Sequence, residues 1–105
     1  QIKDPSALDY AEKAYKNAPE SPAILDTLGW ILVEKGEIAR AVSLLQKAVS
    51  LAPEAAEIRY HLAVSLQKSG DKGAARQELE HLLASGKAFS KIDDAKKLLK
   101  DLEKD

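Results

Sequence analysis

Two histidines, His61 and His81, are the first residues to weigh for chemistry, because imidazole titrates near neutral pH and serves as acid, base or metal ligand. Neither lies in a His-Glu-x-x-His pair or an acid-histidine-serine set, so both read as structural or surface imidazoles. Cysteine is absent, which excludes disulfides, thiolate metal sites and cysteine nucleophiles. Two imidazoles without a thiolate would need carboxylates brought to them by the fold. The glycines at 29, 36, 70, 73 and 86 never take the Gly-x-Gly-x-x-Gly spacing that cradles a phosphate. No catalytic, metal or cofactor site is therefore expected. What remains is a set able to grip a partner: Asp26, Trp30 and Glu34 in one segment, Tyr60, His61 and Gln67 in another.

The balance of charge narrows the partner. Sixteen Lys and Arg against seventeen Asp and Glu leave a net charge of -1 over 105 residues, without the basic footprint that nucleic acid requires. With 45% hydrophobic and 31% charged residues the chain has material for one folded domain. The apolar stretch from Ser21 to Val33 is interrupted by Asp26 and falls far short of the roughly 18 residues of a membrane span. The sequence opens on Gln1 and contains no Met, so it is expected to be a piece of a longer protein, with the compartment left open.

The elements that must position these residues emerge from a self-match at an offset of 34. Ile24, Leu28, Leu32, Gly36, Ala41 and Leu45 fall on Ile58, Leu62, Leu66, Gly70, Ala75 and Leu79, identical in every case. The same offset backwards sets Ala7, Ala14 and Pro19 on Ala41, Ala48 and Pro53. Small, apolar and punctuating residues repeat, as a packing unit requires. Apolar stripes such as Leu25, Leu28 and Leu32, then Val42, Leu45 and Val49, put two helices in each period. Gly36 and Gly70 close one helix ahead of the next, and Ser21-Pro22 and Asp4-Pro5 read as an N-cap followed by proline at the first helical position. Helices are expected near 5-18, 22-35, 38-51, 55-69 and 72-85. After Gly86 the period fails: Lys87 stands where Pro19 and Pro53 recur. Ser90 with Asp93 looks like a capping box opening a last helix to about 104, with Ile92, Ala95, Leu99 and Leu102 on its apolar stripe.

Leu25, Leu28-Gly29, Leu32, Gly36, Ala41, Leu45, Ala48 and Pro53 resemble the tetratricopeptide repeat, a 34-residue helix-turn-helix unit. The second copy departs from the pattern at Arg59, Ala63 and Leu82. The resemblance, over about residues 1-87, implies an all-α, right-handed solenoid of about two and a half repeats with a C-terminal capping helix. The divisions would be a half repeat at 5-20, repeats at 22-55 and 56-87, and the cap at 90-104. It further implies a non-enzymatic scaffold for protein-protein interaction, taking a protein or peptide segment in its concave groove. The alternative is a repeat domain appended to an enzyme or a cytosolic adaptor. More narrowly, the run Leu25-Asp26-Thr27-Leu28-Gly29-Trp30, a closing Leu-Ala-Pro and Glu57 to Ala63 are similar to the C-terminal repeats of bacterial lipoproteins of exosortase and exopolysaccharide export systems, which implies a periplasmic or outer-membrane-anchored setting.

In such a solenoid the first helix of each repeat lines the groove. On 22-35 the groove stripe would hold Ala23, Asp26, Trp30, Val33 and Glu34; on 55-69 it would hold Glu57, Tyr60, His61, Val64, Gln67 and Lys68. Trp30 and Tyr60 are expected within mutual reach. Relatives that clamp a C-terminal carboxylate use Lys and Asn on this wall, whereas the matching places here hold Asp26, Trp30 and His61, which favours a basic or neutral segment. Tyr10, Ala11 and Tyr15 belong to a helix without its hairpin partner, so self-association through that N-terminal edge is a second expectation.

Overall fold

The computed structural model describes residues 5–104, and among these it contains helices and turns but no strand. Six helices follow in order: α1 (Pro5–Asn17), α2 (Pro22–Glu34), α3 (Ile38–Leu51), α4 (Ala56–Ser69), α5 (Lys72–Ala84) and α6 (Ile92–Glu103). Each packs on its neighbours in sequence, and α2 also touches α4, so the chain builds a stack of antiparallel pairs. The fold is the helical solenoid that the 34-residue period implies.

Local chemistry explains the boundaries. Ser21 accepts the Ile24 N–H on its Oγ at 3.3 Å, and Pro22 fills the first position of α2, where a missing N–H costs nothing. Asp71 does the same for α5, its Oδ1 accepting the Ala74 N–H at 3.0 Å. Gly36 and Gly70 adopt φ of +83° and +95°, and the next residue in each case donates to the carbonyl five back, Glu37 to Leu32 and Asp71 to Leu66. That left-handed closure suits glycine and turns each hairpin in few residues. One expectation changes here and another is untested. Asp4 lies outside the described residues, and α6 begins at Ile92 with Lys91 as its N-cap and no side-chain cap, so Ser90 belongs to the preceding turn. Asp93 and Asp94 instead favour the α6 N-terminus through the helix dipole.

The core is the apolar repeat itself. Leu25, Leu28, Leu32, Ala41, Leu45, Ala48, Ala75 and Leu79 are buried to 2% exposure or less. α2 and α3 approach closely because position 29 is glycine: a Cβ there would stand 2.7 Å from Leu45 Cγ. Ser65 is buried among these residues with its hydroxyl donating to the Leu62 carbonyl at 2.8 Å. Arg59, the departure from the repeat pattern, pairs with Glu78 at 2.6 Å and donates to the Pro53 carbonyl at 3.1 Å. Lys87, the residue in the place of a recurring proline, reaches back to Glu54 at 3.2 Å. α6 packs on α5 through buried Ala95 and Leu102, with Leu98 and Leu99 half-buried.

At the N-terminal edge α1 is less open than its sequence suggests. Ala11 is buried and Leu8 and Tyr15 pack against the core, because α1 lies against α2; Tyr10 alone of the three expected residues is largely exposed, at 70%. A bidentate ion pair joins α1 to α3, Arg40 gripping Glu12 at 2.6 and 2.8 Å. That contact holds the Glu12 carboxyl below its ordinary range, chiefly through the hydrogen bonds from Arg40. A depressed carboxyl stabilises the fold above its unfolded titration range and loses the contribution as pH falls through the folded value. Both side chains are about 40% exposed, so the term is no more than about 1 kcal/mol. Glu12→Gln should lower the melting temperature slightly at pH 7 and not at all once wild-type Glu12 is protonated; an equal deficit at both ends of a pH series of thermal melts would show that the charge is not responsible.

Candidate partner-binding face

The first helices of successive hairpins, α2 and α4, lie side by side and bring their groove residues together. Asp26 extends from the second turn of α2 and His61 from the second turn of α4, and their Oδ1 and Nδ1 atoms meet at 2.7 Å. At 13% and 19% side-chain exposure the pair is mostly enclosed. The carboxylate accepts from Nδ1–H, which fixes the ring's orientation and leaves Nε2 outward of that bond. Trp30, one turn beyond Asp26, stacks on His61 with ring centroids 4.2 Å apart and planes at 26°. Tyr60 tilts against the same imidazole at 6.0 Å and against Phe89 at 6.3 Å. Burial raises the Tyr60 hydroxyl above its ordinary range, with the Asp94 carboxylate a smaller contribution.

Trp30 and Tyr60, expected within mutual reach, both lie against the imidazole of His61. Val33 was expected on the open stripe but is 6% exposed, because the apolar face of α2 is wide enough to include it with Leu25, Leu28 and Leu32. Glu34 is exposed at the last residue of α2, one turn past Trp30. Gln67 is half-buried about two turns past Tyr60, in an open depression of about 280 Å³ between α4 and α6 that Tyr60, Asp94 and Leu98 also line. Asp26, Trp30, Tyr60 and His61 thus form one contact cluster, and Glu34 and Gln67 lie along its C-terminal side.

One pairing and one residue of the cluster carry no signal in the sequence: the Asp26-His61 contact and Phe89. His61 was placed on the right face but without its acid, since the repeat equivalent of Asp26 is Tyr60 and the pairing crosses to the next residue. Phe89 sits in the turn before α6, where the period has failed and gives no guide to position. His81 is exposed, on the rim of a separate pocket of about 200 Å³ with Arg59 and Lys87. Among the described residues no group of three or more His, Asp and Glu could hold a metal, and no helix is long and apolar enough to cross a membrane.

Similarity to known proteins agrees with this architecture. The tetratricopeptide repeat family model matches residues 32–99, well over half of the chain. The TPR repeat-containing protein PA4667 of Pseudomonas aeruginosa is 42% identical over 50 residues, which is 48% of this chain and 8% of that protein, so the match spans a small part of its relative. Tetratricopeptide repeats generally mediate protein-protein interaction and are typically non-catalytic scaffolds. A 34-residue period that folds into stacked helical hairpins, matched along most of its length by that family, leaves one assignment: the chain belongs to the tetratricopeptide repeat family.

Proposed function

We propose that the face formed by α2 and α4 binds a segment of a protein partner, with Trp30 as the anchor and Asp26, Glu34, Tyr60, His61 and Gln67 around it. The observation that carries this reading is the Trp30-His61 stack, braced by Asp26 and only half-buried. A large aromatic ring held in place before binding loses little freedom on contact, and such rings are over-represented among residues that dominate binding energy. Peptides selected from a random library on the immobilised protein supply the test. Trp30→Ala should weaken their binding by about 2 kcal/mol, roughly thirtyfold. A variant that is folded by circular dichroism and binds every selected peptide as tightly as the parent would remove the reading.

The finer setting we propose is a larger bacterial protein that assembles or exports material at the cell envelope. Its support is the likeness of the Leu25 to Trp30 run to repeats of such systems and a bacterial relative that carries the same repeats. Within the chain, residues 5-20, 22-55 and 56-87 serve as a half repeat and two repeats, and α6 closes the stack. α6 turns buried Ala95 and Leu102 inward and its Lys and Asp residues outward, as a terminal element of a repeat array must. Ending the chain after Gly86 should therefore cost at least about 2 kcal/mol, from uncovered apolar surface on α5 and the loss of Leu102 burial. Equal melting temperatures and equal monomer fractions for the two forms would count against the closing role.

A further inference from the structure

Four rings cross the binding face in a row. Trp30 on α2, His61 and Tyr60 on α4 and Phe89 in the turn before α6 have successive centroid separations of 4.2, 6.0 and 6.3 Å. Trp30, Tyr60 and Phe89 are half-buried, so part of each of these rings stays open to solvent, while His61 is mostly enclosed between its neighbours. A carboxylate stands beside each of the two inner rings. Asp26 meets His61 with one oxygen, and Asp94 lines the same depression as Tyr60, where it adds to the effect of burial in disfavouring ionisation of that hydroxyl. The ion pair of Asp94 with Lys91 is long, 3.9 Å, and exposed, so it neutralises little. The depression beside Tyr60 is lined by Asp94, Lys97 and Asp101 at helical spacing on α6 and by Lys68 on α4; Lys68 lies eight residues beyond Tyr60, about 12 Å along the helix, so it balances Asp101 at the far end and leaves Asp94 as the acid on the ring row.

We propose that this row recognises an arginine side chain on the partner segment, laid over the rings and drawn in by Asp26 and Asp94; the assignment rests on the docking reading above. A guanidinium is planar and weakly hydrated, so it stacks on aromatic faces while its edge donates to a carboxylate. An ammonium is compact and strongly hydrated and gains less from a half-buried row of rings. A glutamate or a terminal carboxylate would meet the two acids and be repelled. An extended segment rises about 3.3 Å per residue, so about five residues would cross the row, enough to seat an arginine and a neighbouring apolar side chain.

The chain's single tryptophan, Trp30, reports the event directly by its fluorescence. The probes are an acetylated and amidated short peptide with two arginines flanking a leucine, and the same peptide with lysine or with glutamate in their place. The arginine peptide should give a saturable change that weakens with salt, the lysine peptide should bind about threefold or more weakly, and the glutamate peptide should give none. Asp94→Asn, at an exposed position that leaves the rings and the Asp26-His61 pair in place, should weaken the arginine peptide by about threefold or more. Equal binding of the lysine peptide, any saturable binding of the glutamate peptide, or indifference to Asp94→Asn overturns the arginine assignment. If library-selected peptides depend on Trp30 but carry no arginine, the docking reading stands and the assignment falls. If no peptide responds to Trp30→Ala, both fall.

Discussion

Replacing Leu45 by alanine is expected to destabilise the chain by about 2–5 kcal/mol, a large share of the roughly 5–15 kcal/mol that holds a domain of this size together. Leu45 is completely buried and fills the space that Gly29 opens on α2, so its loss leaves a cavity between two helices whose backbones are already close. Little can collapse into that space, because the opposite wall is the α2 backbone rather than a side chain able to change rotamer. Urea unfolding should show a lower midpoint at an unchanged slope. Leu51→Ala is the comparison, because Leu51 is 42% exposed at the end of α3 and its loss should stay within about 0.5 kcal/mol. The reverse error is testable at the same contact. Gly29→Ala gains about 1 kcal/mol of helix propensity but drives a methyl into Leu45, and overpacking of about 1–3 kcal/mol wins because Leu45 is enclosed on all sides. A Leu45→Ala variant as stable as the Leu51→Ala variant would mean that the hairpin interior is not close-packed.

Much of this architecture is legible in the residues because local and repeated signals coincide. Ser21-Pro22, Gly36 and Gly70 each act within a few residues of their own position, and the structure uses each in the way its chemistry requires. The leucine and alanine stripes repeat at 34 and end up buried. Where the signal is not local, the reading loses detail. The partner of His61 is thirty-five residues away on another helix, and only the packing of α2 against α4 determines that Asp26 reaches Nδ1. Val33 shows the limit of a drawn stripe: one turn from Trp30, it is pulled into the core by the width of the α2 apolar face. Ala11 and Tyr15 pack inward because α1 lies on α2, a contact that periodicity within α1 cannot reveal. Phe89 and the start of α6 fall after the repeat has lapsed, where neither period nor capping residue applies.

Arg59 and Glu78 stand where the preceding repeat holds Leu25 and Leu44, so an apolar pair has been replaced by an ionic one in the same architectural place. The exchange is balanced: the two meet at 2.6 Å with side chains 11% and 26% exposed, and the Pro53 carbonyl takes a further guanidinium proton. Glu78→Leu alone should cost about 2–3 kcal/mol, since it leaves an almost enclosed guanidinium with one carbonyl; a fully enclosed pair would lose about 3–5 kcal/mol, but solvent reaches Glu78. Arg59→Leu with Glu78→Leu should return to within about 1 kcal/mol of the parent or exceed it, because desolvation of both charges is relieved and the neighbouring repeat shows that leucines fit there. Two losses that simply add in the double variant would show that the site cannot accept the apolar pair. The charges also bear on which helices pair. With Leu25 and Leu44 in one hairpin and Arg59 and Glu78 in the next, a chain that paired α4 with α3 in the manner of a hairpin would set a guanidinium beside Leu44, and the error would be unstable. Making both hairpins apolar removes that discrimination. The double variant should therefore refold from urea with a slow or aggregating fraction absent from the parent, while its equilibrium stability is equal or greater; single-phase refolding with full recovery would assign the ion pair no part in choosing partners.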